Sequence, residues 1–142
     1  MHNFLHKTPL YINREDASIT FYLDNSKSIR MYHSQDCCES VYIEDINGDL
    51  DSLLFKPILQ ADEKISTNED SDSKIDEYGY SDESFTWTFY TLANINSVVD
   101  IRWYGSSNGY YSERVDLYIN DYDIKSLPNY AYIAEHHPQF LI

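Results

Sequence analysis

The chain has 142 residues, 42% hydrophobic and 15% aromatic, with four glycines, four prolines and a formal net charge of −14. That length suits one domain with a buried core, and the composition excludes collagen-like and disordered classes. The charge argues against direct binding of nucleic acid or an anionic membrane, both of which call for a basic face.

No apolar run is long enough to predict a membrane span. The first ten residues, MHNFLHKTPL, have too short an apolar stretch and no small-residue cleavage pattern for a signal peptide. A cytoplasmic protein is expected.

Strand patterns begin at Ser18. Residues 18–23 (SITFYL) alternate, 24–26 (DNS) break the run, and 28–33 (SIRMYH) resume it, which predicts a hairpin. Residues 40–44 (SVYIE) form a third strand, stopped at Asn47-Gly48. Asp49 is placed to cap one helical turn over 49–55 before Pro57 ends it. A weaker strand starts at 58–61.

From Asp62 to Glu83 the composition shifts. Nine acids and two lysines give this stretch −7, half the charge of the whole chain. A long acidic mobile loop, inserted between two strands of one domain, is expected over 62–83. Residues 85–92 (FTWTFYTL) are the clearest strand, with Phe85, Trp87, Phe89 and Thr91 on one face. Another strand runs from Val98 to Tyr104. The Asn108-Gly109 pair then predicts a hairpin turn, with 110–119 as its return strand, so that three strands form a meander.

Residues 118–142 read as a C-terminal extension. Tyr130–Glu135 suits strand or helix, and the apolar end, Phe140-Leu141-Ile142, is expected to dock on the sheet or on another subunit. The predicted fold class is mainly β (β-rich α+β). It would be a single antiparallel sheet or small sandwich or barrel of about six or seven strands, spanning 1–142 as one domain.

Three places could carry chemistry. The segment 33–39 (HSQDCCE) holds His33, Cys37 and Cys38, which suit a zinc site or a Cys-His nucleophile. Adjacent cysteines project apart on a strand, however, and no second ligand pair lies at a zinc spacing. A vicinal disulfide is disfavoured in a reducing cytosol, so a small buried thiol is the plainer expectation. No oxyanion-hole or nucleophile-elbow motif appears, so a non-enzymatic protein without metal or cofactor is expected. The second place is Arg102 with Tyr104, Tyr110 and Tyr111, a guanidinium among aromatic rings that could grip a nucleotide-like ligand. The competing expectation is that Trp103 is core and Arg102 pairs with local carboxylates. The third place is the acidic stretch itself. There Glu69, Asp70, Asp72, Asp76 and Glu77 would steer a basic partner, with Tyr78 and Tyr80 as anchors.

The segments DCCESVYIEDINGDL (36–50), TWTFYTL (86–92) and IRWYGSSNGYYSERVDL (101–117) resemble an uncharacterised family of small tailed-phage proteins, a domain of unknown function. The resemblance spans about 17–117, with 1–16 and 118–142 outside it and an acidic insertion near 66–83 longer than is typical. It implies a phage origin and a place in the cytoplasm of an infected bacterial host, without a mechanism. By analogy with small acidic phage proteins, the expected role is an accessory protein. It would bind and inhibit a host protein with a basic surface, one that handles nucleic acid or serves in defence, without touching nucleic acid or membrane itself. Self-association as a homodimer fits the aromatic content and the exposed strand edges of such a sheet.

Overall fold

A computed structural model describes residues 1–67, 74 and 82–142. Among the described residues there are eight strands: β1 (Pro9–Glu15), β2 (Ser18–Leu23), β3 (Lys27–Tyr32), β4 (Ser40–Asn47), β5 (Gln60–Thr67), β6 (Ser84–Ala93), β7 (Val98–Ser107) and β8 (Asp116–Asp121). They form two four-stranded sheets, ordered β1-β2-β3-β8 and β4-β7-β6-β5, with every pairing antiparallel. The sheets pack face to face as an open sandwich. Ile19, Phe21, Ile29 and Met31 of the first sheet share one core cluster with Tyr90, Leu92, Val99, Ile101 and Trp103 of the second.

The strands follow from period-2 burial. In β2, Ile19, Phe21 and Leu23 are fully buried, and in β7 Val99, Ile101 and Trp103 are buried on the same principle. Trp103 is therefore core, as one of the two expectations had it. Asp49 caps the turn Leu50–Leu53 by accepting from the Asp51 N–H at 3.0 Å.

Three expectations need correction. β1 was not anticipated, because Pro9 and the polar run Asn13-Arg14-Glu15 hide the inward alternation of a strand that pairs with β2. β5 reaches Thr67, so residues 62–67 belong to a strand rather than to the acidic loop. Of the rest of that loop, residues 68–73 and 75–81 lie outside the described residues. Finally, β8 does not return along β7. It starts only at Asp116 and joins β3 in the opposite sheet.

The C-terminal residues form a helix, α1 (Tyr130–His136), and a short 3₁₀ turn, Pro138–Leu141. Phe140 and Leu141 pack on a second cluster around Leu10, Leu127 and Ile133, beside β1 of their own chain, whereas Ile142 stays fully exposed. Among the described residues no helix is long and apolar enough to cross a membrane.

Candidate functional site

Strand alternation puts Ile101 and Trp103 into the core and turns Arg102 and Tyr104 outward. The register of the second sheet lines them up with neighbours on that outward face. Arg102 lies opposite Phe89 and Tyr104 opposite Trp87 on β6, while Tyr42 of β4 lies opposite Tyr104. Lys64 of β5 extends the row beyond Phe89. The result is an aromatic outer face. Trp87 meets Tyr104 edge-on at 4.5 Å, Phe85 stacks on Tyr104 at 6.2 Å, and Trp87 stacks on Phe89 at 6.3 Å.

A β-bulge sets the charges on this face. The β4–β7 register slips between Ile43 and Asp45, so that Glu44 is the extra residue and both carboxylates approach Arg102. Arg102 donates from Nε to Glu44, and its Nη2 lies 3.7 Å from Asp45. Its guanidinium also sits 5.6 Å from the centre of the Trp87 ring. Lys74 reaches the same place, with Nζ 3.7 Å from Glu44 and 5.5 Å from the centre of the Tyr42 ring. Bonding to Tyr42 raises the lysine above its ordinary range against the opposing pull of burial, and Glu44 adds to the rise.

Tyr104 is only 2% exposed although it faces outward. Its hydroxyl donates to Asp82 at 2.5 Å and accepts from the Lys74 backbone N–H at 3.2 Å. Burial first, then the bond to Asp82, pushes the phenol well above its usual range. Lys74 and Asp82, both in the β5–β6 connection, thus hold the hydroxyl of this tyrosine. Trp87 and Phe89 beside it stay half-buried.

The structure brings Arg102 and Tyr104 to one face and leaves Tyr110 and Tyr111 in the turn beyond the end of β7. There the two rings meet edge-on at 5.1 Å, and Tyr110 is 83% exposed. A phosphate approaching Arg102 would meet Glu44 and Asp45 at the same point. Glu69, Asp70, Asp72, Asp76, Glu77, Tyr78 and Tyr80 lie outside the described residues.

The first sequence candidate, the segment with His33, Cys37 and Cys38, takes an unexpected form. Cys37 and Cys38 are exposed and joined to each other by a disulfide. The expectation of a buried thiol is corrected, because the pair sits in a bend rather than on a strand. Glu39, whose side chain is 0% exposed, shapes that bend. Its carboxylate accepts from the N–H groups of Cys37 and Asp36 at 2.8 and 2.9 Å, from the Gln35 amide at 3.1 Å and from His33 Nε2 at 2.8 Å. Burial pushes this carboxyl up, but the bonds from the Cys37 N–H, His33 and the Asp36 N–H outweigh it and lower the group to about 2. His33 Nδ1 donates in turn to the Arg114 carbonyl at 2.7 Å. Both ring nitrogens are thus spent on the protein, and among the described residues no group of three or more His, Cys, Asp or Glu is arranged to hold a metal ion.

Sequence reasoning missed the His33–Glu39 pair and the part played by Trp87 and Phe89 beside Arg102. The signal for the second was present in the outward alternation of β6. The first depends on a bend that no spacing rule encodes.

Neither the curated proteins nor the solved structures contain a match to this chain. A family model does match, over residues 2–117. The match takes in β1, which the sequence resemblance had left outside, and stops inside β8. Through residues 2–117, the chain belongs to the family described as a domain of unknown function, DUF7448.

Proposed function

We propose that this is a non-enzymatic binding protein whose outward face on the second sheet docks on a basic surface of another protein. The observation that carries the proposal is the combination on that face of half-buried Trp87 and Phe89 with carboxylates at Glu44, Asp45 and Asp82, and at Asp62 and Asp100, which lie opposite Thr91 in the same outward row. Aromatic rings and arginine are the side chains that anchor protein interfaces once water is excluded. The surrounding carboxylates favour a cationic partner, whose lysines or arginines can compete with Arg102 for Glu44 and for the Trp87 ring.

The finer proposal follows from the family resemblance and the charge. The partner is a bacterial host protein that handles nucleic acid or serves in defence, and the protein inhibits it by occupying a basic groove in the host cytoplasm. The phage origin is part of this proposal. Five further carboxylates, Glu69, Asp70, Asp72, Asp76 and Glu77, belong to the connection whose described residues Lys74 and Asp82 lie on this face. With Tyr78 and Tyr80 they would add steering charge and anchors.

The test is affinity capture from bacterial host lysate at low and moderate salt, with three baits. The wild-type protein is expected to retain one stoichiometric basic protein that dissociates as salt rises. The double variant Trp87→Ala, Phe89→Ala should lose it. Tyr118→Ala, on the outward face of the first sheet, should keep it. Absence of a partner at either salt, or equal retention by all three baits, would rule the proposal out.

A further inference from the structure

The loop between β3 and β4 holds chemistry that the aromatic face does not use. Its disulfide joins neighbours in the chain, Cys37 and Cys38. A cross-link stabilises a fold chiefly by restricting the unfolded chain, and the effect grows with the length of the closed loop. A bond between adjacent residues closes almost no loop and ties no distant segments together, so it does little for the stability of the sandwich. The shape of the bend has a separate source. Glu39 holds it through the N–H groups of Asp36 and Cys37, the Gln35 side chain and His33. The Gln35 amide further donates to the Glu39 carbonyl at 2.6 Å and to that of Cys37 at 3.2 Å. His33 and Ser34 brace the loop against the chain entering β8, through the Arg114 carbonyl and the Asp116 carboxylate. The disulfide can therefore open without releasing the loop. Both cysteines are exposed, so an incoming thiolate can reach either sulfur.

We propose that Cys37 and Cys38 form a reversible redox site that exchanges electrons with a dithiol or disulfide of another molecule. In the reductive direction, a thiolate of a partner dithiol attacks one sulfur and the Cys37–Cys38 bond breaks. A mixed disulfide forms, and the other cysteine leaves as a thiolate that takes up a proton. The second thiol of the partner, as its thiolate, then attacks the mixed disulfide and leaves the partner oxidised to a disulfide. The remaining cysteine departs as a thiolate and is protonated. Two electrons and two protons pass to the pair. The reverse reaction consumes a disulfide of the glutathione class and returns two thiols. Because the open thiols sit on neighbouring residues of a bend that Glu39 holds through the Asp36 and Cys37 N–H groups, closure is intramolecular and outcompetes accumulation of a mixed disulfide.

The experiment equilibrates the folded protein in buffers of reduced and oxidised glutathione, quenches with acid, alkylates and reads the intact mass. The expected result is a reversible exchange between two species. One carries no alkyl group and is lighter by two hydrogens than the dithiol, and the other carries two alkyl groups, while the far-ultraviolet circular dichroism stays constant. Cys38→Ser should instead trap glutathione on Cys37 under oxidising conditions. Two outcomes would each overturn the proposal. Both thiols could remain alkylatable at every glutathione ratio, or the bond could yield to reductant only after denaturation.

Discussion

Glu39 is one acid among 24 in the chain, and its environment sets it apart. Most of the others are exposed and solvated, whereas this carboxylate is enclosed by donors that hold its titration near 2, below its ordinary value of 4.5. Depressing the folded-state value makes the group a source of stability that is complete above about 4.5 and disappears as pH falls towards about 2. The melting temperature of the wild-type protein is therefore expected to drop through that window. Glu39→Gln should melt lower at neutral pH and show a shallower fall with acid. Calorimetry or circular dichroism at stepped pH values measures both. Identical pH profiles for the two proteins would mean that Glu39 does not carry this dependence. The residue was invisible in the sequence because only the three-dimensional bend distinguishes it from its solvated neighbours. Arg102 was legible in part. Alternation put Arg102 and Trp103 on opposite faces and local charge suggested carboxylate partners, but which face turns outward was not legible, and nothing in the order of residues marked Glu44 as the bulged one.

At the scale of elements, hairpins made of neighbouring strands were readable and the crossover was not. Asn108-Gly109 does turn the chain, with Gly109 at φ +92, but turn chemistry says nothing about which sheet the chain enters next. Where the chain crosses over, Glu113, 8% exposed, is tied back to the start of β6 and the end of β7. It accepts from the Thr86 hydroxyl at 2.8 Å and from the Ser107 hydroxyl. Gly105 provides the space. A Cβ there would lie 2.5 Å from the Glu113 carbonyl oxygen and 2.9 Å from its Cβ. The obstructing atoms are mainly backbone, so they cannot simply rotate away. Gly105→Ala is expected to cost about 1–3 kcal/mol in chemical denaturation. A change within experimental error would show that the crossover does not need this close approach. β1 was missed for a related reason. Its inward residues are legible only once β2 is known to accept a partner on that side.

Across the whole molecule, the net charge of −14 dominates any encounter. Neutralising Glu69, Asp70, Asp72, Asp76 and Glu77 to their amides removes five negative charges. A partner drawn by charge should bind the neutralised protein more weakly, and its affinity should vary less with salt. Titrations of the captured partner at several ionic strengths measure both effects. Equal binding by the two proteins at every ionic strength would show that these carboxylates do not steer. The β-rich class and the acidic character were plain from composition, periodicity and turn residues. The division into two sheets was not, because it rests on pairings such as Ile29 with Ile119 that join distant parts of the chain.

That last pairing also governs the order of assembly. The chain lays down β1, β2 and β3, leaves to build the whole of the second sheet, and returns with β8 to pair with β3. During synthesis, the outer edge of β3 stays without its partner until residues 116–121 have left the ribosome. Ile29 and Met31 are part of the buried core only in the finished sandwich. Pairings at such separation form slowly and leave sheet edges open to other chains in the meantime. The newborn protein is thus most vulnerable to mispairing in the interval before its final strand arrives.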